Sequence, residues 1–305
     1  MTNPVIPLTP AGQEPGAPPV FDRIGIVGLG LIGGSVALAA RRVWPAGLVI
    51  GVDRNDVIAL AVARHAIDVA ASDLTIVSEA DLVVLAAPVL QNIEILRALP
   101  DYIQKPVVVT DVGSTKRAIV EAARALPPRF TFIGGHPLAG STRSGIENAR
   151  TDLFAARPWL FTPDRGEAAG AHADALSRLF QVAEAIGAAP HAMEAGAHDR
   201  LVAVISHLPQ LAASALMQAV GEAAGEEGLT LSGRGLIDTT RLAGSPAGIW
   251  AEICATNADE IGPAIDALIA LLQRVRDGLD DREAITRLFE AADRWREALT
   301  RVRGQ

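Results

Sequence analysis

Two glycine-rich segments carry side chains that could hold or transfer a proton. The first, DVGSTK, presents Asp111, Ser114, Thr115 and Lys116, and the second, GGHPLAGSTRSG, presents His136, Ser141, Thr142 and Arg143. A neutral imidazole flanked by glycines and a proline could take a proton from a substrate hydroxyl while hydride leaves the same carbon. His136 is therefore a candidate general base, and from the residues alone a structural role is an equally good interpretation.

Two residues in the second half of the chain could bind a ligand. His207 lies in ISHLPQ, where Pro209 removes a helix hydrogen bond and is expected to kink the helix. The kink could point His207 into a cleft, or the imidazole could be a satisfied structural group. Arg241, in DTTRLAGSPAGIW, could form a fork for a carboxylate or an ordinary salt bridge. Of the other histidines, only His198 is expected away from the surface, as a helix cap or an interdomain contact.

A glycine fingerprint lies near the start of the chain. In the run IGIVGLGLIGGS, Gly28, Gly30 and Gly33 have the G-x-G-x-x-G spacing between a predicted strand and an apolar helix. The first glycine allows a tight turn, the second lets the backbone approach a pyrophosphate, and the third allows helix and strand to pack closely. Leu31 and Ile32 open this helix, whose N-terminus attracts negative charge. The run predicts a dinucleotide-binding loop.

Asp53 ends the next predicted strand, 20 residues after Gly33. A carboxylate there accepts hydrogen bonds from ribose hydroxyls and repels a 2′-phosphate, which favours NAD over NADP. Arg54 beside it leaves some tolerance for NADP, and an aspartate that merely caps a turn is the alternative. Pro88, after the apolar run DLVVLAA, is expected to shape the wall near the nicotinamide. NAD is thus the predicted cofactor, and no metal site is predicted.

The elements that must position these residues follow an alternating pattern. The runs RIGIVG, LVIGVD, DLVVLAAP, PVVVTDVG, FTFIGG and PWLFTP are typical of strands, and alanine-rich helical stretches separate many of them. Nearly continuous apolar strands separated by helices predict an α/β fold with a doubly wound parallel sheet. A helix near 168–186 and a short strand around 190–193 should complete it. Ligands bind beyond the carboxyl ends of such strands, where the polar segments lie.

The chain divides by pattern into three parts. A proline-rich segment at 1–21 is expected to be a disordered lead-in, and 22–194 to be a dinucleotide-binding Rossmann domain. From 195 to 305 apolar residues recur at helical spacing, which predicts an all-helical substrate and dimerisation domain. Because this helical part is small and strongly apolar, a second subunit is expected to cover some of its surface. A homodimer is therefore predicted.

Composition excludes several classes of partner. The 305 residues carry a net charge of −8, which disfavours nucleic acid or an anionic membrane surface as the main partner. Cys254 is the only cysteine, which excludes an internal disulfide and a cysteine-built zinc site and fits a reducing compartment. The N-terminal segment has neither the basic region nor the apolar run of a signal peptide. We expect a soluble cytoplasmic protein that acts on a small molecule.

Several segments together resemble one enzyme family. VGLGLIGGS, DVGSTK, GGHPLAGSTRSG, HDRLVAVISHLP and DTTRLAGSPAGIW are similar, in this order, to segments of the prephenate and arogenate dehydrogenases of tyrosine biosynthesis. The resemblance extends over most of the chain and implies a nucleotide domain followed by a helical dimerisation domain. It also implies NAD-dependent oxidative decarboxylation of prephenate to 4-hydroxyphenylpyruvate. Loss of carbon dioxide restores an aromatic ring, so such an enzyme mainly orients its substrate and assists proton removal.

The resemblance assigns roles position by position. His136 corresponds to the family histidine that accepts a hydrogen bond from the ring hydroxyl as hydride departs. Ser114 corresponds to the serine that holds this hydroxyl and the histidine. Arg241 corresponds to the arginine that binds a carboxylate of the dianionic substrate, and His207 to a histidine at the cleft entrance. These assignments make His136 and Ser114 the predicted catalytic residues.

Two departures from the family bear on the substrate site, which by resemblance also includes Ser141 and Thr142. The family often has an acidic residue where this chain has Thr142, and a histidine where it has Gln210. Loss of an acid should disfavour the ammonium group that distinguishes arogenate from prephenate. Prephenate is therefore the predicted substrate, and an arogenate or dual-specificity cyclohexadienyl dehydrogenase is the alternative.

Two further classes of protein compete with this reading. Other reductases with the same two-domain plan, acting on a hydroxy acid or an imine, commonly use a lysine on the helical domain as their acid. Lys105 and Lys116 are the only lysines, and both lie in the predicted nucleotide domain, which favours a histidine-based mechanism. A non-enzymatic NAD sensor would need the glycine loop without the chemistry.

Overall fold

The predicted strand runs form one sheet in this computed structural model, which describes residues 18–140, 143–163 and 170–303. The strands are β1 (Arg23–Val27), β2 (Leu48–Val52), β3 (Val69–Ala71), β4 (Leu82–Leu85), β5 (Val107–Asp111), β6 (Phe130–Pro137), β7 (Pro158–Thr162) and β8 (Ala189–Ala192). Their order across the sheet is β3-β2-β1-β4-β5-β6-β7-β8. The order reverses between β1 and β4, and at such a switch point doubly wound sheets bind their ligands.

Helices cover both faces of the sheet. They are α1 (Leu31–Val43), α2 (Asn55–Ala63), α3 (Val89–Tyr102), α4 (Arg117–Ala123) and α5 (Ala171–Ala185). Alternate residues of β4 contribute to two buried clusters, Val84 with α1 and α5, and Val83 with α3 and α4. Since successive strand residues point to opposite faces, each face of the sheet has its own core. The predicted doubly wound α/β fold is confirmed.

The far edge of the sheet departs from the parallel arrangement. β7 pairs antiparallel with β6, with His136 opposite Leu160, while β8 is parallel to β7. A parallel neighbour would need a crossover connection, usually a helix, to return the chain to the starting edge. The described part of the connection at 138–157 contains only a 3₁₀ turn at Ile146–Asn148. The predicted parallel arrangement therefore holds for β1 to β6 and is wrong for β7 and β8, which both run in the opposite direction.

The ordered domain begins earlier than the pattern predicts. Phe21, which the sequence places in the lead-in, is 1% exposed and packs into the core on the α1 face. The guanidinium of Arg178 lies 3.8 Å from the centre of the Phe21 ring and donates a hydrogen bond to the carbonyl of Val20. The rest of the predicted lead-in, up to residue 17, lies outside the described residues.

From Ala195 onward the described residues form helices and turns. The helices are α6 (Ala195–Val202), α7 (Leu208–Thr230), α8 (Arg234–Thr240), α9 (Ala247–Thr256), α10 (Ala258–Asp277) and α11 (Arg282–Arg303). One π-helical turn, Ala203–His207, joins α6 to α7 just before Pro209. The sequence predicts a kink at Pro209, and the structure shows a widened π-helical turn immediately before it. Such turns are frequent at functional sites.

The helical part exposes large apolar side chains. Leu272, Phe289 and Trp295, on α10 and α11, are 57%, 68% and 78% exposed. The stretch Ala195–Thr230 is long and apolar enough to cross a membrane by length and composition alone, a test that helices of soluble proteins also pass. Apolar surface of this extent is characteristic of a face covered by another protein chain.

Candidate active site

The glycine loop after β1 has the geometry that its spacing predicts. Gly28 has a φ of 96°, and a Cβ there would lie 2.7 Å from the carbonyl of Ala86. A Cβ on Gly33 would overlap the carbonyl oxygen of Gly28. By contrast, a Cβ on Gly30 would meet nothing within 4 Å, so the surface over this residue is open. The loop packs tightly below and leaves room above for a ligand to approach the backbone.

The N-terminus of α1 faces this open surface. Gly30 is its N-cap residue, so no side chain caps the helix, and the first turn contains no acidic residue. The first N–H groups of a helix, here those of half-buried Leu31 and Ile32, have no partner within the helix. Free N–H groups and the positive end of the helix dipole suit a pyrophosphate. The loop therefore fits a dinucleotide.

Asp53 lies between β2 and the glycine loop. Its carboxylate accepts hydrogen bonds from the backbone N–H of Leu29 at 2.6 Å and of Arg54 at 2.7 Å. This arrangement holds the carboxylate beside the loop, where it can also receive ribose hydroxyls. The Arg54 side chain is exposed and pairs with Asp56 at 3.2 Å. Arg54 is therefore already engaged on the outside of the turn.

Pro88 is the N-cap residue of α3, beyond the carboxyl end of β4. The buried side chain of Asn92 shapes this loop by accepting from the N–H of Ala87 at 3.0 Å and donating to the carbonyl of Leu85 at 3.2 Å. Gly28 approaches the same loop at Ala86. The structure thus places Pro88 at the sheet edge that carries the glycine loop.

His136 lies near the end of β6 and is buried among polar groups. Its Nδ1 lies 2.9 Å from Nε2 of His198 on α6, and Nδ1 of His198 lies 2.8 Å from Oδ1 of Asp199. The pKa of His136 lies well below its ordinary value, mainly because the ring is buried. The nearby His198, Lys116 and His207 lower it further. The imidazole is therefore neutral at physiological pH, as a general base must be.

Asp199 is fully buried yet accepts four hydrogen bonds. The donors are the backbone N–H groups of Lys116 and Arg117, Nε of Arg117 and Nδ1 of His198. Burial alone would raise the pKa of Asp199, but the bonds from His198 and from the two backbone N–H groups outweigh it and lower the pKa. Arg117 continues to Asp259 and Asn257, so one side chain of α4 ties the sheet to the helical part.

Lys116 is turned inward rather than toward a ligand. Its ammonium is buried against Asp111 and donates to the carbonyl of Gly135 at 2.7 Å. Asp111 in turn accepts from the N–H of Gly135 at 3.0 Å and of Gly113 at 2.8 Å. Burial lowers the pKa of Lys116, and Asp111 partly offsets this effect. The pair clamps the residue immediately before His136 to the end of β5.

His207 is buried beside two side chains of the helical part. Its ring meets Trp250 edge-on at 5.9 Å, and its Nδ1 lies 3.3 Å from Nδ2 of Asn257. Asn257 Oδ1 accepts from Arg117 and its Nδ2 also donates to the carbonyl of Asp199, so Nδ2 is the donor to His207. Nδ1 of His207 is then an acceptor and its Nε2 carries the hydrogen. Burial, opposed by Asp199, lowers the pKa of His207 to about 4.

The Nε2–H of His207 has no hydrogen-bond partner among the described residues. An unpartnered donor is costly inside a protein, and a bound acceptor would satisfy it. The histidine is fully buried rather than at a cleft entrance, because the π-helical turn lies against α10 and the Asn257 side chain.

Arg241 opens the 3₁₀ turn Arg241–Gly244 and is exposed, with no hydrogen bond or ion pair to any described residue. Gln210, one helical turn after His207, holds this turn by donating to the carbonyl of Leu242 at 2.7 Å. The Oε1 atom of Gln210 accepts from Ser245 at 3.2 Å. Both ends of the amide are thus used within the protein, and the guanidinium of Arg241 is available to an anion.

Of the remaining predicted site residues, the structure describes Ser114 but not Ser141 or Thr142. Ser114 is half-buried between β5 and α4, and its hydroxyl has no hydrogen-bond partner within the described ranges. Ser141 and Thr142 lie outside the described residues. His136 and His207 come together around Asp199, whereas Arg241 makes no bond to either within one chain.

The sequence assigned no site role to three polar residues of this cluster, His198, Asp199 and Asn257. His198 was expected to cap a helix or to contact a neighbouring domain; Glu194 caps α6 instead, and His198 makes the interdomain contact. Asp199 and Asn257 carried no signal of their own, since their partners lie far away in the chain. The adjacency of His198 and Asp199 at the start of a predicted helix is the one local hint.

Comparisons with known proteins agree with this architecture. Two family models match, prephenate dehydrogenase, nucleotide-binding domain over residues 36–189 and prephenate dehydrogenase, dimerization domain over 194–293. The chain is 34% identical to a prephenate dehydrogenase of Bacillus subtilis over 91% of its own length and 76% of the relative. It is 31% identical to a cyclohexadienyl dehydrogenase of Zymomonas mobilis over 92% of its length and 97% of that protein.

A solved structure extends the likeness to three dimensions. The crystal structure of prephenate dehydrogenase from A. aeolicus in complex with hydroxyphenyl propionate and NAD+ superposes with a TM-score of 0.82 at 29% identity. The match covers 92% of this chain and 98% of that one. Taken with the two matched models and the 34% identity to the B. subtilis enzyme, this chain belongs to the prephenate dehydrogenase family.

Proposed function

We propose that the protein catalyses the NAD-dependent oxidative decarboxylation of prephenate to 4-hydroxyphenylpyruvate in tyrosine biosynthesis. The observation that carries this proposal is the neutral, buried imidazole of His136 at the sheet edge that holds the glycine loop, in a chain of this family. An imidazole at that place combines a proton acceptor with a dinucleotide site, as oxidation of an alcohol requires.

The chemistry divides between the bound cofactor and the protein. Bound NAD supplies the hydride acceptor. The protein removes the hydroxyl proton, which moves to Nε2 of His136, the ring nitrogen that is not engaged with His198. The hydroxyl of Ser114, which has no hydrogen-bond partner among the described residues, orients the ring hydroxyl of the substrate. As the bond to the ring carboxylate breaks and carbon dioxide leaves, its electron pair completes the aromatic ring, and Nε2 of His136 returns the proton to the resulting phenolate oxygen.

Two groups account for binding a dianion in an acidic protein. Within the part of the chain that the structure describes, His207 has a buried N–H without a partner and Arg241 has an unpaired guanidinium on a turn held by Gln210. A charge-assisted bond to a carboxylate is worth about 1.5–3 kcal/mol. Ser141 and Thr142 follow β6 in the chain and complete the proposed substrate site.

NAD is the favoured cofactor because Asp53 lies beside the glycine loop. A carboxylate at this place binds the two ribose hydroxyls and repels a 2′-phosphate. Arg54, the neighbour that could compensate such a phosphate, is bonded to Asp56 instead.

An arogenate or dual-specificity activity is the second candidate. The Zymomonas relative is named cyclohexadienyl dehydrogenase, which keeps this candidate open. Prephenate is favoured because Gln210 brings no charge and uses its amide within the protein. Thr142 likewise offers no carboxylate for an ammonium group.

We further propose that the protein is a cytoplasmic homodimer formed through the helical domain. The matched dimerization model and the exposed apolar residues of α10 and α11 support the dimer, and the single cysteine suits a reducing compartment. Light scattering after size exclusion should give twice the chain mass. Leu272→Glu should shift the mass toward the monomer, and a monomeric wild type would overturn the dimer.

The deciding experiment is an assay of purified protein with prephenate or arogenate, each with NAD or NADP, following the absorbance of the reduced cofactor. Turnover with prephenate and NAD is expected to exceed the other three combinations. No turnover in any combination would refute the function, and a tenfold preference for arogenate would select the second candidate. His136→Asn should abolish turnover while NAD binding is retained, which separates an enzyme from an NAD sensor.

A further inference from the structure

Three buried side chains form a line behind the proposed base. His136 on β6 meets His198 on α6 at 2.9 Å, and His198 meets Asp199 at 2.8 Å. His136 is 8% exposed, and the other two are 0% exposed. The line crosses from the sheet to the helical part, so it is formed by tertiary structure and not by neighbours in one element.

Asp199, at the far end of this line, determines which ring nitrogens carry a hydrogen. A carboxylate that accepts bonds from two backbone N–H groups and from Arg117 can only accept, so Nδ1 of His198 carries a hydrogen. In a neutral His198 the other nitrogen, Nε2, then has a lone pair. Nδ1 of His136 must donate to that lone pair, because two bare ring nitrogens 2.9 Å apart would repel one another and form no hydrogen bond. Nε2 of neutral His136 is left without a hydrogen, as a base requires.

We propose that His198 is a positioning residue that keeps His136 in the tautomer with a free Nε2 and stabilises the positive charge that His136 gains. This inference deepens the proposed function and rests on it. The substrate proton moves from its hydroxyl oxygen to Nε2 of His136. The Nδ1–H of His136 stays bonded to His198, and the negative charge of Asp199 faces the new imidazolium across the second ring.

Among the charged groups around the two rings, Asp199 is the one that can stabilise a positive charge on His136. Lys116 is cationic and opposes a charge on either ring, although Asp111 compensates it. His207 is neutral and presents a donor. Arg117 also carries positive charge and binds Asp199 directly. Asp199 is therefore the anion in hydrogen-bond contact with the histidine pair.

Two substitutions of His198 separate positioning from packing. Asn places its amide near the Nδ1 position, so His198→Asn can keep the bond to Asp199 and loses the acceptor for His136. Gln reaches the Nε2 position, so His198→Gln can keep that acceptor and loses the bond to Asp199. We expect kcat to fall about 100-fold or more in His198→Asn and about 10-fold in His198→Gln, with the KM for prephenate changed less than about 3-fold.

Which of these two variants has the higher kcat distinguishes a positioning role of His198 from a packing role. If His198 served only to hold the Asp199 side chain in place, His198→Asn would be the more active variant, and that order would overturn the proposal. Equal kcat in wild type and both variants would overturn it as well. His191→Gln, on the exposed strand β8, is the matched control and should leave kcat unchanged.

A spectroscopic measurement tests the tautomer without turnover. In untagged protein labelled with ¹⁵N-histidine, two-bond ¹H–¹⁵N correlations at neutral pH should show His136 with hydrogen on Nδ1 and none on Nε2. His136→Asn assigns the signal among the six histidines. A hydrogen on Nε2 of His136 would overturn the proposal even if the enzyme is active. The expected tautomer in a protein that turns over no substrate would instead place the failure in the proposed function.

Discussion

The carboxylate of Asp53 accepts a hydrogen bond from the backbone N–H of Leu29 at 2.6 Å, although the two residues are 24 positions apart. This bond joins the end of β2 to the middle of the glycine loop. The residue that selects the cofactor is thereby held in place by the loop that binds it.

Replacing Asp53 should therefore change both affinity and selectivity for the cofactor. In Asp53→Ala we expect kcat/KM for NAD to fall roughly 10- to 100-fold, the loss of charge-assisted bonds to the ribose, and the ratio of NADP to NAD efficiency to rise. Steady-state kinetics with both cofactors measures this. Asp56→Ala, which removes only the partner of Arg54, should leave NAD efficiency unchanged. Unaltered NAD kinetics in Asp53→Ala would contradict a ribose role.

Arg241 should act on the substrate alone. In Arg241→Gln we expect the KM for prephenate to rise roughly 10- to 100-fold, because one charge-assisted bond to a carboxylate is lost, while the KM for NAD stays the same. Initial rates at saturating NAD give the first value and rates at saturating prephenate the second. Arg234→Gln, at an exposed arginine that begins the preceding helix α8, is the control. A similar rise in that variant would show a general charge effect.

The buried pair of Lys116 and Asp111 should matter for stability. Lys116→Met leaves Asp111 buried without its cation, and we expect the free energy of unfolding to fall by about 3–5 kcal/mol. Adding Asp111→Asn should recover part of this loss. Urea unfolding at neutral pH measures both. Lys105→Met breaks the partly exposed pair with Asp81 and should cost under about 1 kcal/mol. Equal losses of unfolding free energy in the two lysine variants would contradict the prediction that the buried pair contributes more to stability than the exposed one.

The free energy of unfolding should depend on pH through His207. Its pKa is about 4 in the folded protein against an ordinary value of 6.5, because it is buried. The unfolded chain therefore binds the proton first, so stability is full above about pH 6.5 and declines as the pH falls toward 4. At pH 5 this histidine should account for about 2 kcal/mol of the decline.

The measurement compares urea unfolding at pH 7 and pH 5 in wild type and in His207→Gln. The difference between the two pH values should be smaller in the variant by about 2 kcal/mol. Comparing each protein with itself removes any constant loss of packing. An identical pH dependence in both proteins would show that His207 is not the titrating group.

Most of the fold could be predicted because its signals are local. The glycine spacing and Asp53 lie within one strand-helix-strand unit, and the apolar runs each mark a strand. The direction of β7 was not predictable in this way, since it depends on what the chain does between His136 and Pro158. Phe21 was misassigned because a proline-rich neighbourhood hides one buried aromatic side chain.

In the candidate site, too, the features with local signals could be predicted and those that depend on distant residues could not. His136 stood out because a histidine between glycines and a proline is unusual, and resemblance singled out Ser114 and Arg241. The proton assignment of His136 could not be predicted, because it depends on His198, which is 62 positions away. Lys116 looks like a ligand-facing residue in DVGSTK, and only the position of Asp111 and Gly135 shows that it points inward.

The carboxylate of Asp199 belongs to the helical part but is held by the backbone N–H groups of Lys116 and Arg117, at the start of α4 in the sheet-containing part. Backbone groups are present whatever the side chain, yet their placement depends on how the two parts meet. A chimaera fused near residue 194, with each half from a different relative, would retain every sequence motif in full. It would still misplace these N–H groups if the junction rotated. Recombining the two halves of such genes therefore requires matched pairs rather than interchangeable modules.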